Sequence, residues 1–516
     1  MTPKRSPASP SEPSPTPLFD FAADSPASTP PSAPTQAPKR GRRPKATQET
    51  EPTSAPKSSR TAKKSPSRPT KKAAADAPPQ ELPPNERPFA VPKNWLWTRL
   101  GDVARWGSGG TPSRKTPQYY DGSIPWIKSG ELNDDYVFDS EEKITEEAIK
   151  KSSAKLYPPN TVVIAMYGAT IGKTAILGVQ ATTNQACACA VCRDFLDYRF
   201  LFNYARSQKD AFIKKGKGGA QPNISQEVIK PYPFPLPPLA EQERIVALVE
   251  RLFARLDEAA EIVRETLDAS EERRSALLRS AFSGALTAQW REKHGVGIET
   301  WRQTKLNAVC QVNPPKMKTQ HLPDDLEASF FPMASLSEIE GAITEPQTRP
   351  LKEVRKGFTN FQEGDVVFAK ITPCMENGKS AVVGPLVNGI GYGTTEFYVL
   401  RCSSALLNRY VYHLVRSQSF RDEAKAVMTG AVGQQRVPKS FLEEYPLNLP
   451  SVAEQAEIVR LLDAAFEKER RVCELAEETA ARIETLKKAI LARAFRGELG
   501  TNDPTDPKPF APAPTT

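Results

Sequence analysis

The sequence predicts an α+β protein. Two similar domains with short, irregular sheets are separated by two long helices pairing as an antiparallel coiled coil, behind a disordered N-terminal tail. Three observations carry this reading. A helical motif occurs twice at a constant offset, the stretches between the copies break into short apolar runs, and the first 90 residues have the composition of a chain that cannot fold.

Residues 1–90 hold 21 of the 49 prolines, among many Ser, Thr, Ala and Lys. Such a segment buries too little apolar surface to offset its conformational entropy, so it is expected to be disordered. It carries 15 Lys and Arg against 8 Asp and Glu, a net +7 of the chain's +9. The rest of the chain is nearly neutral, yet still able to bind DNA if its positive charge lies on one surface. Within the tail, KRGRRPK (39–45) resembles the Arg-Gly-Arg-Pro core of an AT-hook, with an extra Arg before the proline; a solvated basic linker is the simpler reading. Seven thinly spread cysteines fit a reduced compartment. No run of about 18 apolar residues and no secretory signal occurs, so a cytoplasmic location is expected.

Residues 91–235 form the first domain. After VPKNWLWTRLGDVA come SIPWIKSGEL, NTVVIAMYGA, TAILGV and ACACAV, apolar runs bounded by Gly, Pro, Asp and Ser, which predict short strands. A helix is expected at 197–213. The second domain, 297–448, should share the fold. Trp95, Leu100 and Val103 match Trp301, Leu306 and Val309 at an offset of 206, and NTVVIAMYGATIGK (160–173) has a counterpart in GDVVFAKITPCMENGK (364–379).

The helical segments are 236–296 and 449–500, with 501–516 as a disordered end. LPPLAEQERIV (236–246) recurs as LPSVAEQAEIV (449–459), and LLRSAFSGAL (277–286) as ILARAFRGEL (490–499), both offset by 213. Spacing kept without an insertion is what one continuous helix demands. From 240 to 283 such a helix is about 65 Å long. Its apolar stripe runs Ile245, Leu248, Leu252, Leu256, Val263, Leu267; the second copy gives Ile458, Leu461, Leu475, Ile483, Leu486, Ile490. Prolines precede each helix, and Gly284 and Gly497 stand where C-terminal caps belong. A stripe of this length needs a partner. An antiparallel pair of the two copies puts the domains at opposite ends about a pseudo-two-fold axis; a parallel pair puts them at one end; an intermolecular coiled coil is the remaining option.

Three motifs suggest chemistry and fall short of it. GATIGKT (168–174) has three residues where a phosphate-binding loop needs four before its Gly-Lys-Thr. NPPK (313–316) resembles the Asn-Pro-Pro-Tyr motif of amino-methyltransferases, but Lys316 cannot stack on a flipped base as the aromatic does. Cys187, Cys189 and Cys192 lack a fourth ligand nearby, so buried strand cysteines are the better reading and no metal site is expected. No catalytic residue is assigned.

The candidate DNA-contacting residues are Lys173 and Lys379, in the equivalent turns, then Lys215, Lys217, Gln221 and Asn223, and, in the counterpart, Gln434 and Arg436. Lysine suits phosphates, while Gln and Asn can read an adenine edge. The repeated Gly…Gln…Ile/Val pattern can equally be structural.

LPPLAEQERIVALVERLFARLDEA with LLRSAFSGALTAQWRE resembles the central conserved region of type I restriction–modification specificity subunits, and LPSVAEQAEIV with AILARAFRGELG their distal conserved region. GSIPWIKSGEL and the GATIGK turn resemble elements of their target-recognition domains. The likeness covers about 90–500. It implies a non-catalytic subunit in which each domain reads half of a bipartite, asymmetric DNA site. The helices then set the spacing and dock two modification subunits, which methylate adenine using S-adenosylmethionine. Restriction subunits, as motor and nuclease, use ATP and Mg²⁺. The chain itself binds no cofactor and no membrane. The alternatives are the specificity subunit of a related bipartite-site system with cleavage and methylation fused in one subunit, an enzyme in its own right, or a coiled-coil scaffold without sequence specificity.

Overall fold

The computed structural model describes residues 78–216, 223–431 and 433–510. Each domain is built on two sheets. In the first, β1 (Ala104–Ser108), β2 (Tyr136–Val137), β3 (Val162–Ala165), β4 (Thr174–Leu177) and β5 (Cys187–Cys192) lie in the order β1-β5-β3-β4-β2. In the second, β6 (Cys310–Val312), β7 (Val366–Ala369), β8 (Ser380–Val382) and β9 (Phe397–Cys402) lie in the order β6-β9-β7-β8. Each domain adds a four-stranded sheet centred on a parallel pair, Ile124–Ile127 with Ala181–Thr183 and Glu327–Phe331 with Gly391–Gly393. The central strands β3 and β7 are buried along their whole length, which is why they read as unbroken apolar runs. The expected helix at 197–213 is present as Tyr198–Ser207 and Lys209–Lys215.

A two-stranded ribbon closes each domain and delivers the chain to its long helix. Leu96–Arg99 pairs with Pro233–Leu236, and Arg302–Lys305 with Pro446–Leu449. The residues after each ribbon are the repeated Ala-Glu-Gln. Gln242 and Gln455 are fully buried, and each welds its helix to its own domain by the same three bonds. The Gln242 side chain accepts from Asp197 N (2.9 Å) and donates to the carbonyls of Phe195 and Pro237 (3.0 Å each). That of Gln455 accepts from Leu407 N (2.9 Å) and donates to Ala405 O (2.9 Å) and Pro450 O (3.0 Å).

The first helical segment is not one continuous helix. It forms α1 (Leu239–Asp268) and α2 (Ser270–Phe282), interrupted at Ala269, whereas α3 (Val452–Ala494) runs unbroken. α1 and α2 pack antiparallel against α3. Lys487 reaches Asp257 (2.6 Å), and Arg273 binds Glu469 with Nη2–Oε1 at 2.6 Å. The ends of the helices enter the domain cores reciprocally. Ile245, Val246, Val249 and Phe253 of α1 share the first core with Leu491, Ala494 and Phe495. Ile458 and Leu462 of α3 share the second with Leu278 and Ala281, and Phe282 packs against it. Leu278, Ala281 and Phe282 are the 213-offset equivalents of Leu491, Ala494 and Phe495. Each domain is thus completed by the far end of the other copy's helix.

The predicted stripe divides accordingly. Ile245 and Ile458 serve the domain cores. Leu248, Leu252, Leu256, Val263, Leu267, Leu461 and Ile490 are half-buried, and Ile483 is buried. Leu475 and Leu486 do not belong to the buried seam, being 45 % and 50 % exposed. The buried positions of mid-α3 are Ala476 and Ile483, seven apart, and Ile490 continues that spacing. At 100° per residue, Leu475 points about 100° off that line, whereas Leu486, about 60° from Ile483 and about 40° from Ile490, lies at the exposed edge of the seam. Gly284 (φ +82°) and Gly497 (φ +72°) adopt the left-handed conformation after α2 and α3, as their C-cap positions require.

The predicted tail boundaries are corrected at both ends. Residues 78–90 are placed against the first domain: Leu82 is buried, its N–H donates to Trp97 O (2.8 Å), and Phe89 packs edge-on against Trp97. Two apolar residues in a polar stretch escape a compositional average, yet suffice once Trp97 offers them a surface. Residues 501–510 are not a loose end either. Thr501 Oγ1 donates to Glu241 (2.7 Å), Arg244 pairs with Asp506, and Phe510 packs edge-on against Phe195. KRGRRPK (39–45) and residues 511–516 lie outside the described residues. Among the described residues no helix is long and apolar enough to cross a membrane.

Candidate nucleic-acid interface

In each domain the chain leaves the central strand into a turn, and a distant segment comes back to pin it. After β3, Ile224 N donates to Met166 O (2.9 Å), and Tyr167 bridges to Asn223. After β7, Val437 N donates to Lys370 O (2.9 Å), Thr372 N to Gln435 O (3.0 Å), and Ile371 bridges to Arg436. The fold therefore assembles, twice, the two short segments that the sequence reading singled out separately.

In the first domain, Lys173 ends the turn and is half-buried, with its backbone N–H on Thr170 O (2.9 Å). Asn223 is exposed across from it, beside Tyr167, itself 44 % exposed. Lys215 is exposed, its ammonium 4.6 Å from the Tyr232 ring centre. Lys217 and Gln221 lie outside the described residues. GATIGK forms a turn between the antiparallel strands β3 and β4, with no helix following, so it lacks the strand-to-helix setting of a phosphate-binding loop. Cys187 and Cys189 are buried in β5, and burial pushes the Cys189 thiol up to about 12. Such thiols are inert packing groups.

In the second domain, Lys379 is half-buried and Gln434 exposed. Arg436 is exposed but engaged. Its Nε and Nη2 donate to the two carboxylate oxygens of Glu396, each at 2.9 Å. That pairing holds the guanidinium pKa above its ordinary value and the Glu396 carboxyl below its own. The third guanidinium nitrogen, Nη1, donates to Gln434 O (3.1 Å), so the whole head group is engaged within the domain. Sequence gave no hint of the pairing with Glu396, since the partners are 40 residues apart. Tyr167 and Lys370 were also missed. Their signal was present: Lys370 directly follows the buried apolar strand β7, and Tyr167 stands two residues past β3.

Comparison with known proteins follows the same two-fold division. The family model described as the type I restriction modification DNA specificity domain matches residues 92–264 and 298–474. The specificity subunit of the type I restriction enzyme EcoEI from Escherichia coli is 33 % identical over 250 residues, covering 40 % of this chain and 42 % of that protein. The chain thus aligns with less than half the length of that curated relative. A solved chain, described as showing complex assembly and conformational transition of the type I R-M system, superposes with a TM-score of 0.62 at 21 % identity, covering 80 % of this chain and 100 % of that one. The HsdS subunit from Thermoanaerobacter tengcongensis gives 0.53 at 22 % identity, with the same coverages. At such identities these likenesses speak for the fold.

Proposed function

The chain belongs to the type I restriction modification DNA specificity family, and on that premise we propose that it is the sequence-reading, non-catalytic subunit of a DNA methylation and cleavage complex. Each domain engages one half of a bipartite, asymmetric site on double-stranded DNA through the pinned turn and its partner segment. The α1–α2 and α3 helices act as an antiparallel coiled coil that fixes the separation of the half-sites. Covalent linkage makes the second reading event intramolecular. Modification subunits supply adenine methylation with S-adenosylmethionine, and restriction subunits supply ATP- and Mg²⁺-dependent cleavage, in the cytoplasm.

One observation carries the reading: the reciprocal exchange of Leu278, Ala281 and Phe282 for Leu491, Ala494 and Phe495. A helix pair anchored in both cores holds the two domains at a set distance, which is what reading two separated half-sites requires. Docking of two modification subunits is supported by Ile262 and Leu475. They are 213 residues apart, equivalent in the two copies, and 60 % and 45 % exposed. Exposed apolar residues repeated by pseudo-symmetry suit two copies of one partner.

The test is to co-express the chain with its modification subunit and map methylated adenines across a genome. A single gapped, asymmetric motif is the expected result. No motif would favour a scaffold without specificity, and methylation by this chain alone would overturn the non-catalytic assignment. A motif obtained with a partner that also cleaves DNA would point to the fused bipartite-site system.

A further inference from the structure

The two domains differ at one place in a way that their shared fold does not require. β1 continues along β5 through Gly107 and Ser108. Gly109 and Gly110 then pack so closely that a Cβ on either would lie 2.1 Å from Thr183 or 2.4 Å from Ser153. In the second domain the equivalent strand stops. Asn313 turns with φ +53°, its side chain accepting from Val399 N (3.0 Å), and Pro314-Pro315-Lys316 follows. Beside this turn the second domain opens a cleft of about 540 Å³.

The walls of this cleft include Asn313, Pro315, Lys316, Phe358, Lys370 and Thr395. Lys316 Nζ donates to Phe358 O (2.9 Å), tying the two lips together. Lys370 occupies the position of Met166. Both follow the central strand, donate N–H to the chain before the next strand (Met166 to Ala186 O, 2.8 Å; Lys370 to Glu396 O, 2.9 Å), and accept from the pinning segment. Met166 is buried in the first core, whereas Lys370 is half-buried, its ammonium 5.2 Å from the Tyr398 ring centre. The described lining holds two lysines and no carboxylate. Glu396, which feels Lys370, is already held by Arg436. The cleft is also continuous, through Lys370, with the turn pinned by residues 435–437.

We propose that this cleft seats a phosphodiester of the DNA duplex, with Lys370 as the phosphate contact and Lys316 bracing the two lips through Phe358. The proposal rests on the reading that the second domain engages DNA. It makes this domain's backbone grip different from that of the first, where the residue equivalent to Lys370 is Met166, buried in the core. A phosphate contact positions the domain and carries no base identity.

The full chain, assembled with its modification subunit, would be titrated with a labelled duplex carrying the site that the complex methylates, across a salt series. Lys370→Met installs the residue that the first domain already accommodates, and Lys370→Arg keeps the charge. For Lys370→Met we expect binding weakened about 5- to 10-fold at ~0.1 M salt and the log–log salt slope shallower by about 0.9, the signature of one lost phosphate contact. The methylated motif should stay the same, and Lys370→Arg should restore the slope. An unchanged slope for Lys370→Met would overturn the proposal, and so would an altered base preference in one half-site. A wild-type complex without site-specific binding would instead sink the DNA-reading assignment itself.

Discussion

Arg291 and Glu454, 163 residues apart, form a buried ion pair, with Nη1 2.6 Å from Oε1. The same carboxylate accepts from Thr287 Oγ1 (2.7 Å) and Trp301 Nε1 (2.9 Å). The segment that leaves the first helical copy thus caps the start of the second. Glu241, the equivalent of Glu454, is met in turn by Thr501, while Asp506 takes up Arg244 beside it. Breaking a buried pair by removing one partner leaves an uncompensated charge. Arg291→Met should therefore destabilise the protein by about 3–5 kcal/mol, read from urea denaturation. The double variant Arg291→Met with Glu454→Gln should recover part of that loss. A loss no greater than for an exposed pair such as Arg264–Glu261 would refute the capping role.

Gln242→Ala and Gln455→Ala should each cost about 1–3 kcal/mol, because buried backbone groups lose a side-chain partner. Hydrogen exchange should show the loss confined to the domain attached to the altered helix. Loosening spread evenly over both domains would contradict the local weld.

Acid should weaken the hold of the second domain on α3. Burial pushes the His413 imidazole below its ordinary value of 6.5, against the pull of Asp463, whose Oδ1 lies 2.8 Å from its Nε2. Burial raises Asp463, but hydrogen bonds from His413 and Arg409 outweigh it and hold the carboxyl below its ordinary range. A histidine depressed in the folded state takes up its proton more readily when unfolded, so stability falls as pH drops through 6.5. Asp463 adds loss in the same direction at lower pH. His413→Gln should flatten the upper part of this profile; an identical profile would discount the residue.

Lengthening the rod must respect both helices. Inserting seven residues into α1 alone pulls Leu278 and Phe282 from the second core and should destabilise the protein. Matched seven-residue insertions in α1 and α3 add about 10 Å and rotate the ends by only about 20°. The methylated motif should then widen its gap by about three base pairs at ~3.4 Å each, with both half-sites kept. Changed half-sites with an unchanged gap would contradict the spacing role.

Freeing Arg436 should be visible in DNA binding. Glu396→Gln removes the charge that holds it, so affinity should rise and its salt dependence steepen by about one ionic contact. An unaltered salt slope would place Arg436 away from DNA.

The offset of 213 residues, the two long helical segments, their glycine caps and the short central strands were legible in the sequence, because periodicity and turn chemistry are local properties. They show that a helix has an apolar face, but not what covers it. That Leu491, Ala494 and Phe495 complete the first core, while Leu278, Ala281 and Phe282 serve the second, depends on contacts across more than 150 residues, which only the folded chain creates. The same holds for residues 78–90 and 501–510, whose few apolar and acidic side chains become ordered because Trp97, Phe195 and Arg244 stand ready to receive them. At the candidate interface the sequence supplied Lys173, Asn223, Lys379 and Gln434. Tertiary structure alone paired Arg436 with Glu396 and opened the cleft beside Lys370, since an ion pair and a cavity exist only once separate strands are brought side by side.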